Sequence, residues 1–166
     1  MKKIIGILLI FIATTNFAVG QKAKASPRES VTGKINAATI TIDYGSPSVK
    51  GRKIWGGLVP FDKIWRAGAN EATTFKTDKD IIVNGGELPA GKYSLFIIPN
   101  EKECIVIFNK KADQWGAYNY NQELDQLKVS VSPNKKSNST EKLLFLLNNS
   151  TIGLLWDNWE IALEIK

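Results

Sequence analysis

Polar and apolar residues alternate with a period of two in several segments of the chain. These segments are 39–44, 92–97, 127–132 and 159–166. Such alternation predicts half-buried β-strands, because successive side chains of a strand point to opposite faces of the sheet. Other segments are continuous apolar runs of strand length, as expected for strands that are covered on both faces. These runs are 103–108, 142–147 and 152–156.

Glycine, proline, asparagine and aspartate separate these segments and predict turns between them. The predicted turns lie at 84–86, 88–91, 99–102, 148–150 and 157–158. Residues 134–140 are rich in lysine, serine and asparagine, and we interpret them as an exposed hairpin loop. Helical periodicity is limited to single turns at 61–66 and 111–115.

The spacing of about nine predicted strands by turn signals is typical of an all-β protein. We expect a single antiparallel β-sandwich, jelly-roll-like, over residues 28–166, with a partly open barrel as the alternative. A chain of 166 residues is long enough for one such domain with its own core.

The stretch from Tyr44 to Phe75 has neither a strand period nor a helical period and is rich in glycine, tryptophan and arginine. A domain of this size rarely carries so long an irregular segment unless the segment is ordered and used. We therefore predict a long ordered loop here, and we call its first part, residues 45–60, the flap.

The N-terminus has the pattern of a secretory signal peptide. Two lysines follow the initiating methionine, residues 4–12 form a short apolar run, and small residues occupy positions 18 and 20. The run is too short for a membrane span, so cleavage is expected near Gly20, with a retained anchor helix as the alternative. We expect a signal peptide at 1–20, a flexible leader at 21–27, and a periplasmic or secreted protein without a membrane span after processing.

Composition excludes several classes of chemistry. The chain has no histidine and one cysteine, Cys104, which lies in an apolar run and is interpreted as a core residue. An intramolecular disulfide, histidine-containing triads, histidine-ligated zinc and histidine acid–base catalysis are thereby excluded. Removal of two lysines with the signal peptide lowers the net charge from +6 to +4. The chain has no dense run of basic residues, so we do not expect nucleic acid as a partner. It also has no motif for a metal or a cofactor, and we expect neither.

The flap carries the first candidate binding residues. Lys50, Arg52 and Lys53 place three cations beside Trp55. An exposed aromatic ring beside cations suits a sugar ring or an anionic group. The alternative is structural: Trp55 and Ile54 plug one end of the domain while the lysines are solvated.

The segment after the flap carries the second group. Arg66 can pair with a ligand carboxylate or phosphate, Glu71 is the candidate general base, and Asn70 is a further polar candidate. The alternative is a buried Arg66–Glu71 ion pair, with Asn70 satisfying loop amides.

Aromatic residues further along the chain form a third group. Trp115, with Tyr118 and Tyr120, can line a groove together with Trp55 and Trp65. A satellite hydrophobic cluster under a loop is the alternative.

Three functions remain compatible with these residues. The favoured one is noncatalytic binding of a glycan or an anionic envelope component by an exported domain. The second is a hydrolase or lyase in which Glu71 is the base, Arg66 stabilises charge and Asn70 donates a hydrogen bond. The third is a structural envelope or secretion accessory that docks to a partner through strand edges.

Four segments of the chain resemble a known family. They are PSVKGRKIWGGLVP (47–60), KIWRAGANEATT (63–74), LPAGKYSLFIIP (88–99) and DQWG (113–116). These motifs are similar to the domain-of-unknown-function 2911 family over about residues 26 to 166. The resemblance implies a β-rich exported bacterial protein, often from Bacteroidetes, and it brings no established activity or catalytic residue. The asparagine-synthetase label carried by some relatives is not expected to apply, because the processed chain has no N-terminal cysteine nucleophile and no nucleotide loop.

Overall fold

The computed structural model describes residues 25–166. The predicted signal peptide and residues 21–24 of the predicted leader lie outside this range. Within it the chain forms ten β-strands, a 3-10 turn at Gln122–Leu124 and no α-helix. The strands are β1 Arg28–Ile35, β2 Ala38–Gly45, β3 Thr73–Thr77, β4 Ile81–Val83, β5 Gly86–Leu88, β6 Gly91–Ile98, β7 Cys104–Asn109, β8 Asp125–Val131, β9 Asn134–Leu147 and β10 Thr151–Glu164. The all-β prediction is confirmed.

The largest sheet has six strands in the order β1-β2-β3-β6-β7-β8, and every pairing in it is antiparallel. The alternation read from the sequence fixes which side chains face inward. Strand β2 buries Ile40, Ile42 and Tyr44 in the core. Ile42 lies opposite Val31 of β1 and Phe75 of β3, so one face of neighbouring strands is apolar.

A long antiparallel hairpin of β9 and β10 supplies the other half of this core. Its buried residues include Leu143, Leu154 and Trp156. Phe145 of β9 meets Tyr44 of the sheet edge-on, with ring centroids 4.9 Å apart. A separate short hairpin pairs β4 with β5. All described sheets are antiparallel and none closes on itself.

The hairpin is longer than the sequence pattern predicts. The predicted turn at 157–158 is instead part of β10, and the predicted loop at 134–140 is part of β9. The register of the two strands shifts on both sides of Asp157, which has φ +50°. A bulge with one left-handed residue lets the chain continue through a polar break without reversing direction. The exposed polar end of the hairpin therefore pairs as strand.

The opposite face of the six-stranded sheet carries a smaller apolar cluster around Phe96 and Ile107. Tyr120 packs on Phe96, and its hydroxyl donates to the Asp125 carboxylate at 2.6 Å. Burial, followed by this carboxylate, raises the pKa of Tyr120 above its usual value. Cys104 is buried, and burial likewise raises the pKa of its thiol, as expected for an inert core residue.

The irregular segment between β2 and β3 is held by backbone hydrogen bonds at several points. The Val49 amide donates to the Glu141 carbonyl of β9 at 2.7 Å. Within the flap, the Gly56 amide donates to the Val59 carbonyl at 2.9 Å. Trp65 exchanges two bonds with Ile97 of β6, each of 2.8 Å. The irregular segment is thus tied to the hairpin through the flap and to the sheet through Trp65. Across residues 25–166, no helix has the length and apolar character that crossing a membrane requires.

Candidate functional site

A cleft of about 290 Å³ lies where the flap, the following loop and strand β10 meet. Its lining residues share a pattern: two are arginines, none is acidic, and most of the others are apolar or small. They are Ser26, Pro47, Arg52, Leu58, Val59, Trp65, Arg66, Gly68, Ala69 and Trp156. We call it the arginine cleft. Two cations on apolar walls, without a neighbouring carboxylate, give a site that favours an anion.

The loop that carries Arg66 is fixed against the end of strand β2. The Ala69 amide donates to the Gly45 carbonyl at 3.2 Å, and the Thr73 hydroxyl donates to the Ala67 carbonyl at 2.9 Å. The indole Nε1 of Trp65 donates to the Gly68 carbonyl at 3.2 Å. These bonds stabilise a tight loop around Arg66, so its backbone position is set by the sheet.

The second arginine is positioned by the flap itself. Arg52 Nε donates to the Val49 carbonyl at 3.0 Å, and its Nη2 donates to the Ser48 carbonyl. These bonds orient the guanidinium at the cleft while leaving other N–H groups of the fork available. A planar fork with free donors is suited to a carboxylate or a phosphate.

Two buried donors on residues that line this cleft have no hydrogen-bond partner. They are the Nε of Arg66 and the indole Nε1 of Trp156. Trp156 is only 1 % exposed. Among the ion pairs of residues 25–166, none involves Arg66. A buried donor without a partner costs about 1–3 kcal/mol, so a bound acceptor would remove that cost.

Trp55 and Trp65 pack against the tryptophans of β10 next to the cleft. Trp55 stacks on Trp159 at 4.5 Å, and Trp65 stacks on Trp156 at 5.9 Å. Both Trp55 and Trp65 are buried, as is Ile54. Trp55 and Ile54 are therefore packed in the core, which agrees with the structural alternative for the flap as far as burial is concerned. The faces of the two flap-region rings are covered by other rings rather than offered to a sugar.

The two flap lysines lie away from the arginine cleft. Lys53 lines a different cleft of about 220 Å³, together with Trp55, Phe61 and Glu101. Lys50 is exposed, and its backbone amide donates to the Glu141 carboxylate at 3.0 Å. Of the three flap cations named from the sequence, only Arg52 lines the arginine cleft.

Glu71 and Arg66 line different clefts. Glu71 lines a cleft of about 150 Å³ together with Thr74, Asp113 and Gln114. No ion pair joins Arg66 to Glu71 in the described part of the chain. The alternative of a buried Arg66–Glu71 ion pair is therefore wrong. Asn70 turns the chain between them at φ +63°, and its Nδ2 donates to the Ser26 carbonyl at 3.1 Å.

Trp115 lies next to Glu71, because the backbones of these two residues form an isolated antiparallel β-bridge. It is 54 % exposed, and Tyr118 is 86 % exposed. The structure therefore separates this aromatic pair from Trp55 and Trp65. The amide Nε2 of Gln114 donates to Ser94 Oγ and to the Lys111 carbonyl, which leaves its buried Oε1 without a donor.

Of the ten residues that line the arginine cleft, sequence reasoning named three: Arg52, Trp65 and Arg66. The large apolar residues that it missed are Leu58, Val59 and Trp156. Trp156 lies in an apolar run that predicts a strand covered on both faces, and that pattern carries no sign of an unpartnered indole. The two hydrophobic flap residues are next to the residues that were singled out, but nothing in the sequence orders them toward the arginines. Within residues 25–166, no group of three or more carboxylate or thiol side chains could hold a metal ion.

Fold and cleft together describe an all-β protein of antiparallel sheets with a cleft of about 290 Å³ that two arginines and apolar or small residues line. Comparison with known proteins adds the family: residues 26–165 match the family described as "Protein of unknown function (DUF2911)". The chain belongs to the domain-of-unknown-function 2911 family, as its motifs predict. Searches of curated proteins and of solved structures found no match.

Proposed function

We propose that this protein is an exported, noncatalytic binding protein whose arginine cleft holds the anionic group of an envelope component or glycan. One observation carries the proposal: the unpartnered donors of Arg66 and Trp156 belong to residues that line the same acid-free cleft. In its architecture we infer a jelly-roll-like β-sandwich, with the six-stranded sheet and the β9–β10 hairpin as its two layers.

The geometry favours binding over catalysis. An enzyme that uses Glu71 as a base and Arg66 as a charge stabiliser needs both groups at one substrate. These residues line separate clefts. Docking through an apolar patch has less support, because the exposed large apolar residues are distributed over the flap (Leu58), β4 (Ile82), β9 (Leu146) and the loop after β7 (Trp115 and Tyr118).

Binding is tested by titrating the protein with inorganic phosphate and with acetate, using calorimetry and tryptophan fluorescence. Arg66→Gln is expected to weaken phosphate binding about 10- to 100-fold, because a hydrogen bond to a charged group contributes about 1.5–3 kcal/mol. Lys50→Gln is the matched control, because it removes one charge of the flap outside the cleft. Equal losses in the two variants, or no binding by the unmodified protein, would contradict the proposal.

A glycan without an acidic group would bind elsewhere. The Tyr118 ring, in the loop between β7 and the 3-10 turn, is 86 % exposed and suits stacking on a neutral sugar. A glycan panel in the same titration separates the two sites. A response that survives Arg66→Gln but is lost in Tyr118→Ala moves the binding site to this loop and away from the arginine cleft.

Export is the remaining part of the proposal, and the charged start, short apolar run and small residues of positions 1–20 support it. Expression of the full chain in a bacterial host with an envelope is expected to give a product that begins near Gln21 in the periplasmic or culture fraction. Intact-mass measurement of that fraction checks the cleavage. A full-length product retained in the cytoplasm would overturn it.

A further inference from the structure

Leu58 occupies an unusual position at the rim of the arginine cleft. It is a large apolar side chain that is 49 % exposed, whereas Val59 and Trp65 beside it in the cleft wall are buried. Exposed single leucines are common on protein surfaces. This one differs because it borders a cleft whose polar side consists of two arginines.

The backbone of the flap holds Leu58 in place. Its amide donates to the Lys53 carbonyl at 3.0 Å, and the Val59 amide donates to the Ile54 carbonyl at 3.0 Å. At the preceding Gly57, a Cβ would lie 2.5 Å from the Lys53 carbonyl oxygen, so the turn is closed tightly. A leucine at the end of so tight a turn is held at the rim instead of folding into the core.

The cleft therefore has two chemically different sides. Arg52 and Arg66 provide the cationic side, and Pro47, Leu58 and Val59 provide an apolar side. A bare inorganic anion would satisfy the first side and leave the second in contact with water. A ligand with a short hydrocarbon part would cover Leu58 and remove that apolar surface from water.

Resting on the proposed function, we propose that the ligand of the arginine cleft is a small amphiphilic acid, and that Leu58 selects it. The acidic group, a carboxylate or a phosphate monoester, pairs with Arg52 and Arg66, and a short hydrocarbon attached to it covers Leu58. A cleft of about 290 Å³ lies at the small end of ligand sites, so the hydrocarbon is short.

The proposal predicts a difference between matched ligands. Hexanoate is expected to bind more tightly than acetate, and hexyl phosphate more tightly than inorganic phosphate, by at least about tenfold. Each methylene that is fully covered contributes about fourfold in affinity, and only part of the chain reaches the apolar side. The two pairs also show whether the acidic group is preferred as a carboxylate or as a phosphate ester.

Variants of two equally exposed leucines test the role of Leu58. In Leu58→Ser, calorimetry is expected to show that the tenfold advantage of the two six-carbon ligands, hexanoate and hexyl phosphate, falls to about twofold or less. Leu146→Ser is the control, because Leu146 is 46 % exposed and lies on β9 outside the cleft. Circular dichroism shows whether each variant is folded, and Leu58→Ala is the second variant if Leu58→Ser is not.

The outcomes separate this inference from the proposed function. If acetate and phosphate bind but the two six-carbon ligands bind no more tightly, the proposal of an amphiphilic ligand is overturned and anion binding stands. The same conclusion follows if Leu146→Ser reduces the advantage as much as Leu58→Ser. If none of the four ligands binds, the proposed function itself fails.

Discussion

Gly45→Ala is expected to destabilise the protein by about 3 kcal/mol, near the upper end of the range for overpacked sites. Gly45 is the last residue of β2, and a Cβ there would lie 2.1 Å from the Ala69 carbonyl oxygen and 2.8 Å from its carbon. Both atoms are backbone, so no side chain can rotate out of the way. The loop that carries Arg66 would have to move away from the sheet.

Thermal and urea unfolding, followed by circular dichroism, measure this effect. For a chain of this size, about 3 kcal/mol corresponds to a fall in melting temperature of about 10 °C. Because the loop also positions Arg66, the folded variant should bind phosphate more weakly in the same calorimetric assay. The two readouts together distinguish a displaced loop from a loss of stability elsewhere.

Gly33→Ala is the matched control. Gly33 also lies in a strand, β1, but a Cβ there would meet only the side chain of Leu147, at 3.3 and 3.6 Å. This side chain can shift slightly, and alanine is more favourable than glycine in a strand, so a change within about 0.5 kcal/mol is expected. Similar losses in the two variants would show that the close approach of β2 to the Arg66 loop does not limit stability.

The strands were predictable from the sequence because period-two alternation directly reflects burial on one face of a sheet. The alternation over residues 39–44 places Ile40, Ile42 and Tyr44 on one face, and all three are buried. The length of β10 was not predictable. Asp157 and Asn158 have the composition of a turn, but a bulge at Asp157 continues the strand instead. Local composition marks a break in the pattern, and pairing with β9 decides whether the chain reverses there.

The candidate site was predictable only in part, for a related reason. Arg66 and Glu71 are close in sequence, and proximity suggested a shared site or an ion pair. Between them Ala67 and Asn70 have φ values of +52° and +63°, and these left-handed residues redirect the chain. The two side chains consequently line different clefts. Residue types identify which groups can bind an anion, but the backbone turns between them decide which groups meet.

Trp156→Ala is expected to cost about 3–5 kcal/mol, because it removes a fully buried indole from the core of the molecule. The indole stacks on Trp65 at 5.9 Å and meets Trp55 edge-on at 6.1 Å. Its loss would leave a cavity beneath the arginine cleft. Chemical unfolding measures the loss, and a cost below about 1 kcal/mol would be incompatible with such a cavity.

Replacement of the same residue by phenylalanine separates packing from hydrogen bonding. Trp156→Phe keeps an aromatic ring against Trp65 and removes an Nε1 that has no partner, so the two effects on stability oppose each other. Trp65→Phe is the comparison, because it loses similar volume but also a bond from Nε1 to the Gly68 carbonyl. We expect Trp156→Phe to be less costly by about 1 kcal/mol.

The ligand assay then decides what the unpartnered Trp156 Nε1 is for. If the donor serves the anion, Trp156→Phe weakens phosphate binding by about tenfold, even though the folded state tolerates the change. Calorimetry is the appropriate readout because the substitution alters tryptophan fluorescence. A Trp156→Phe protein that binds phosphate as tightly as the unmodified chain would restrict the anion site to Arg52 and Arg66. Weakened binding with retained stability would place the indole among the groups that contact the ligand, and it would account for a buried donor left without a partner inside an otherwise well-paired core.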